Sequence, residues 1–132
     1  MGLPRRQRIR RPDEFRRVLA SRRKAADSVL TIAAAPYQGD TPRFGLSVSK
    51  RVGNAVERNR LKRRLREIIR QSGVSGAWEV VVTARAGASE ASYRRLRESL
   101  ERLLGRVGVP IAGPVADGGA SALPDPDSGT NE

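Results

Sequence analysis

The chain has 132 residues and a formal net charge of +12, with 26 Lys or Arg against 14 Asp or Glu and with neither Cys nor His. Without Cys it has no disulfide or thiolate metal site, and without His it lacks the commonest general base and the commonest metal ligand. The length suits one domain around one core. A pI near 11.6 calls for a polyanionic partner, and the absence of a signal-peptide core or an apolar run of about 20 residues favours nucleic acid over a membrane; the expected setting is cytoplasmic.

Residues 1–11 carry Arg5, Arg6, Arg8, Arg10 and Arg11 around Leu3 and Ile9, a basic arm suited to ordering on RNA. A first amphipathic helix is predicted over 12–20. Pro12 fits its first position, Asp13 and Glu14 suit the positive end of the helix dipole, and Phe15, Val18 and Leu19 recur at helical spacing. Residues 29–35 read as a buried strand ended by Pro36. In a second strand Phe44, Leu46 and Val48 alternate with Gly45, Ser47 and Ser49, leaving one small, polar face on which a ligand can lie.

The next helix is predicted to start at Asn54, whose side chain caps it while Glu57 closes a capping box, and to run to about Gln71, before Gly73. Leu61, Leu65, Ile68 and Ile69 form one stripe; Asn59, Lys62, Arg63, Arg66 and Arg70 form another. From Arg43 to Arg70 there are ten basic residues and only Glu57 and Glu67 to offset them, more than a merely solvated face requires. Arg58 falls beside the leucine stripe, so either its stem packs there or the first turn is irregular. Residues 78–85 read as an interior strand, with Trp78 and Phe44 assigned to packing. A last helix, capped by Ser89 and stopped by Gly105, is largely neutralised by Arg94 with Glu98, Arg97 with Glu101 and Glu98 with Arg102. The folded domain is thus 12–105. Residues 106–132, with one basic and four acidic residues, many Gly and Pro and no aromatic, read as a disordered tail.

The string Ser49-Lys50-Arg51-Val52-Gly53-Asn54-Ala55-Val56, followed by Arg58-Asn59-Arg60 and Lys62-Arg63, resembles the signature of the bacterial ribonuclease P proteins. The likeness extends over about residues 3–105, through Leu3-Pro4, Glu14-Phe15 and Val18-Leu19 to Val80-Val81-Val82-Thr83-Ala84-Arg85. It implies an α+β fold: an α-β sandwich, ribosomal protein S5 domain 2-like, in which a central mixed sheet meets three helices through a left-handed βαβ crossover. It also implies a function. The protein would bind the catalytic RNA subunit and the 5′ leader of precursor tRNA, assisting Mg2+-dependent removal of the leader, with the metal held mainly by RNA, no catalytic residue in the chain and no protein partner required. A general ribosomal-type or chaperone-like RNA binder is the alternative.

Carried onto this sequence, the resemblance assigns Lys50, Arg51, Arg58, Asn59, Arg60, Lys62, Arg63, Arg66 and Arg70 to RNA binding. Asn59 offers a donor and an acceptor, able to read a base edge, hold a hydrated metal against RNA, or order its neighbours. Phe15, Leu19, Ser47, Ser49 and Lys50 are assigned to the leader, with Phe15 either a stacking platform or core. Leu19 stands where relatives often carry a second aromatic. The carboxylates are scattered, which is not how a metal-dependent protein nuclease arranges them.

Overall fold

The structure, a computed structural model, describes residues 7–9 and 11–111. Its elements are α1 (Pro12–Leu19), β1 (Arg23–Ala26), β2 (Leu30–Pro36), β3 (Arg43–Ser47), a 3-10 turn Lys50–Val52, α2 (Ala55–Ser72), β4 (Trp78–Ala84), a second 3-10 turn Ala86–Glu90 and α3 (Tyr93–Val107). The sheet runs β1-β2-β4-β3, antiparallel except for the parallel pair β3–β4 joined through α2. This is the expected mixed sheet with three helices. Strand β4 is interior, which accounts for apolar residues on both of its faces: Val80 and Val82 on one, Val81 on the other, all fully buried.

Register sets the two faces apart. Phe44, Val80 and Ala34 form one cross-strand row and Leu46, Val82 and Ile32 the next. Against them pack Leu61, Leu65, Ile68 and Ile69 of α2 and Leu96, Leu100, Leu103 and Leu104 of α3, the main core. The opposite face carries the rows Arg43–Glu79–Ala35, Gly45–Val81–Ala33 and Ser47–Thr83–Thr31. There Ile9 and Val18 close a small second core on Ala33 and Val81, with Phe15 at its margin. An eight-residue helix is only about 12 Å long. The Ser47–Thr83–Thr31 row consequently stays half-buried.

Asn54 and Glu57 cap α2 as expected: the Asn54 side chain accepts from the Glu57 N–H at 2.8 Å and the Glu57 carboxylate accepts from the Asn54 N–H at 2.9 Å. Two boundaries of α3 differ from the sequence expectation. Ser92, not Ser89, is its cap, accepting from the Arg95 N–H at 3.0 Å, because 86–90 wind into a separate 3-10 turn and Ala91 is extended. Gly105 remains helical, and the helix stops at Gly108 in the left-handed region at φ 84°. Val107 and Val109 are buried and Ile111 pairs with Val74, so the folded domain runs past the expected boundary at 105. At the other end Arg8 bridges to Phe44, which docks part of the arm on β3. Residues 1–6, Arg10 and the tail from 112 lie outside the described residues.

Strand β1 was not expected. Its sequence Arg-Lys-Ala-Ala has no apolar alternation, and as an edge strand it needs none. It exists because Asp27 turns the chain. One carboxylate oxygen accepts from the Val29 and Leu30 N–H groups at 2.8 and 2.9 Å, and the other accepts from the Ser99 hydroxyl and from Arg102 at 2.7 Å. Arg102 thereby serves Asp27 and not Glu98, while the Arg94–Glu98 pair forms at 3.3 Å as expected.

Burial pushes the Asp27 carboxyl up, but hydrogen bonds from Ser99, Leu30, Val29 and Arg102 outweigh it and hold its pKa below the ordinary value. A depressed native pKa contributes stability that is complete above the unfolded carboxylate range near 4 and is lost as pH falls through the folded value. Asp27→Asn should therefore cost about 1 kcal/mol at pH 7, solvent still screening the Arg102 pair. In urea unfolding series, the gap between wild type and variant should close as pH falls below about 4; a gap constant with pH would exclude this account.

Candidate nucleic-acid interface

The α1 face is organised by an ion cluster. The Glu79 side chain has 0% exposure and meets Arg17 of α1 and, at 2.9 Å, Arg43 of β3. The Arg43 guanidinium also forks onto Glu14 of α1 at 3.1 and 3.2 Å, donates to the Arg8 carbonyl at 3.3 Å and lies 5.9 Å from the Tyr37 ring. The Glu14 hydrogen bonds raise its already high pKa against the opposing effect of burial, so this charge is permanent. One guanidinium thus joins the arm, α1, β3 and β4. In the sequence, Glu79 is marked only as the one charge inside an apolar strand; its pairing depends on register.

Above the cluster, Phe15 lies on β3 because residue 45 is glycine. A Cβ there would sit 2.6 and 2.7 Å from the Phe15 ring and 3.3 Å from the Ile9 Cβ. The ring is half-buried: one part completes the second core and the rest lines a cleft of about 180 Å³ with Arg8, Ile9, Phe44, Leu46, Lys62 and Arg66. Leu19 is exposed one turn further on and does not line this cleft. Ser47 lies on the open sheet face, as expected, beside Thr83 and in the same row as Thr31. Alternation alone could not name Thr83, because only the β3–β4 register sets it next to Ser47. The Ser49 hydroxyl has a different task from lining that face: it caps the 3-10 turn, accepting from the Arg51 N–H at 3.3 Å, and the turn leaves Lys50 and Arg51 exposed.

On α2 the two stripes separate as predicted. Leu61, Leu65, Ile68 and Ile69 are buried; Asn59, Arg60, Arg63 and Arg70 are exposed. Lys62 and Arg66 are half-buried where the helix meets the cleft. Arg58 is half-buried in a regular first turn, its N–H bonded to the Asn54 carbonyl at 2.9 Å and its guanidinium to the Gly53 carbonyl at 3.2 Å. Its contact is therefore to the start of its own helix. Glu67 accepts from Arg70 at 3.2 Å and from Gln71 at 2.7 Å, and the Arg70 hydrogen bond holds its carboxyl below the usual range. Arg60, Lys62, Arg63, Arg64 and Arg66 make no ion pair among the described residues.

The acidic groups are occupied elsewhere: Glu14 and Glu79 with Arg43, Glu57 in its capping box, Glu67 with Arg70, Asp27 at its turn. Mg2+ takes an octahedron of oxygens, usually with one or two carboxylates. No three Asp or Glu converge among the described residues, and Asn59 stands exposed in a stripe otherwise made of cations. These donors do not make a Mg2+ cage. The arrangement suits holding a polyanion, and the two carboxylates that do meet, Glu14 and Glu79, are both bonded to Arg43.

Residues 3–108 match the family model described as Ribonuclease P. Over 102 residues the chain is 38% identical to the ribonuclease P protein component of Dehalococcoides mccartyi, covering 77% of this chain and 85% of that protein. To the ribonuclease P protein component of Thioalkalivibrio sulfidiphilus it is 37% identical over 115 residues, 86% of this chain and 96% of the relative. Among solved structures, the RNase P protein of Staphylococcus aureus superposes with a TM-score of 0.70 at 31% identity, covering 78% of this chain and 96% of that one. The RNase P protein of Thermotoga maritima gives 0.68 at 28% identity, with 75% and 96% coverage.

The ion cluster makes an ordered prediction. Arg43→Met leaves Glu79 buried with only the half-exposed Arg17, and should cost about 3 kcal/mol in urea unfolding. Arg17→Met removes a mostly solvated partner and should cost about 1 kcal/mol or less. Equal losses, or the reverse order, would show that Arg43 is not the hub.

Proposed function

The chain belongs to the ribonuclease P protein family, and from that membership we propose that it binds the ribonuclease P RNA through α2 and the single-stranded 5′ leader of precursor tRNA through the α1 face of the sheet. The observation that carries this reading is the continuity of the two surfaces. Five cations of α2 make no ion pair among the described residues, two of them, Lys62 and Arg66, line the cleft walled by Phe15, and the hydroxyl row Ser47–Thr83–Thr31 lies on the sheet face that the ring covers in part. Single strands bind where positive charge tracks the backbone and an aromatic ring takes a base.

In this reading the chemistry belongs to the RNA, which holds the Mg2+ ions that activate water and stabilise the leaving oxygen. The protein supplies position and charge in a cytoplasmic ribonucleoprotein, with no protein partner required. Lys50, Arg51, Arg60, Lys62, Arg63 and Arg66 neutralise phosphates; Asn59 touches RNA or its hydrated metal. Arg58 and Arg70 act mainly by ordering the helix, since their contacts are to Gly53 and Glu67. Each neutralised phosphate releases counterions.

Cleavage of precursor tRNA by the chain alone, by ribonuclease P RNA alone and by both at low Mg2+ tests the assignment. Cleavage at the mature 5′ end should need the RNA and rise strongly with the chain; RNA binding without any effect on cleavage would return it to a general RNA binder. Phe15→Ala should weaken binding of leader-bearing precursor by about tenfold and of mature tRNA far less. Replacing Lys62 and Arg63 by Gln should reduce the log-log salt slope for RNA binding by roughly 0.7 to 0.9 per lost phosphate contact. An unchanged slope would remove these side chains from the interface.

A further inference from the structure

Three successive cations, Arg22, Arg23 and Lys24, stand at the start of β1, on the opposite edge of the sheet from β3. All three are exposed, and none makes an ion pair among the described residues; the carboxylate that follows the strand, Asp27, is taken by Ser99 and Arg102. No described strand pairs with the outer side of β1. Keeping such an edge from pairing with another chain asks only for charge. Here the middle cation is also fixed in place.

The Arg23 guanidinium lies 5.3 Å from the Trp78 ring, and its Nη1 donates to the Val107 carbonyl at the end of α3 at 3.1 Å. Gly108 leaves room for it, since a Cβ there would sit 3.0 Å from Nη1. The connector before the strand is pinned as well: the Ser21 hydroxyl donates to the Ala34 carbonyl at 2.6 Å and accepts from the Arg23 N–H at 3.1 Å. Arg23 Nε and Nη2 make no hydrogen bond among the described residues. Together they form a fork that fits two oxygens of one phosphate. A guanidinium held beforehand loses less rotamer freedom on binding than a free one.

The cations straddle the edge. Arg23 and Ala25 point to the helix side, where Arg23 meets α3 and Ala25 packs on the main core, so Lys24 and Ala26 point to the α1 side. Three strand spacings, roughly 14 Å, separate β1 from β3, so a single strand lying on α2 and β3 does not also cover them. A protein partner needs an apolar anchor, and β1 offers only Ala beside its cations. A phosphate backbone needs charge and donors alone.

We propose that the β1 edge is a second RNA-contact surface, in which Arg23 forks onto one backbone phosphate while Arg22 and Lys24 take its neighbours. The inference rests on the RNA-binding reading above. The phosphates come from a second segment of the ribonuclease P RNA or from the precursor tRNA, and their chemistry is the same in both.

The chain has no Cys, so one introduced thiol carries a tethered iron chelate to a known place. Ala26→Cys puts it on the Lys24 side of β1 without removing a cation; Val56→Cys, at a residue 66% exposed in the first turn of α2, is the reference. In the reassembled holoenzyme, radicals from the Ala26→Cys tether should cut one RNA at a discrete position, and end-labelling each RNA in turn tells the RNA subunit from the precursor. Arg22→Gln with Lys24→Gln should weaken that cut roughly fivefold, leave the cut from Val56→Cys unchanged, and lower the log-log salt slope of binding by roughly 0.7 to 0.9 per lost phosphate contact. No cut from Ala26→Cys, or a cut and a slope indifferent to the Gln pair, would overturn the surface. If the Gln pair self-associates with RNA binding intact, the cations only guard the strand edge and the proposal falls. Silence from both tethers would remove the RNA-binding reading itself, and this surface with it.

Discussion

A carboxylate with no exposed surface, Glu79, lies in the interior strand of the sheet, and the geometry of the α1 face follows from how its charge is met. Left unpaired, such a group costs several kcal/mol, by a rough measure of ion desolvation. Arg17 and Arg43 meet it from two elements, and Arg43 extends the contact to Glu14 and the Arg8 carbonyl. Apolar packing alone would hold α1 weakly, because an eight-residue helix with a single fully buried side chain, Val18, has little area to offer. Directional bonds to a fixed carboxylate replace that missing area. They set the helix over the first part of the sheet and leave the hydroxyl row open beyond it.

Charge is divided among the helices in a way that matches their surroundings. On α3 and at its contacts, arginines find carboxylates: Arg94 with Glu98, Arg102 with Asp27, and Arg95 at 3.9 Å from the same Asp27. On α2 only Arg70 does, among the described residues. Self-repulsion along such a helix costs little when each long side chain reaches water or a phosphate, and the helix stays ordered because its buried stripe and capping box hold it. The capping box also fixes where the first cation of the stripe begins. Gly53 to Glu57 therefore set the position of the cation stripe through geometry alone.

Features encoded within one turn of chain were legible in the sequence: Pro12 with Asp13 and Glu14, Asn54 with Glu57, and the leucine stripe of α2. So was the spaced string from Ser49 to Arg63, which carried the family. Features that depend on which residue lies across from which were not. The Arg43–Glu79 pairing and the Ser47–Thr83 neighbours follow from the parallel β3–β4 register, which no local pattern reports. Strand β1 is held by a turn around Asp27 and by the Arg23 side chain, 5.3 Å from the Trp78 ring and bonded to the Val107 carbonyl at 3.1 Å. Its own four residues carry no strand signal. Ser89 and Ser92 are equivalent as local caps, and only the preceding 3-10 turn chooses between them.

Phe15 shows why the choice between core and platform was badly posed for a protein with so few aromatics, at 4% of residues. A ring buried on all sides stabilises the fold but cannot take a base; a ring standing free takes a base but swings among rotamers and loses entropy on binding. Gly45 lets the ring close on the strand, and Ile9 packs beside it, so that one part is spent on the second core and the remainder faces the cleft. In the proposed reading, the ring's orientation is set before RNA arrives, so one aromatic side chain serves where a mobile one would need a second. Leu19, exposed one turn away, lacks any such backing. In the proposed reading, single-strand recognition accordingly rests on one fixed ring, the hydroxyls of β2, β3 and β4, and the cations of α2.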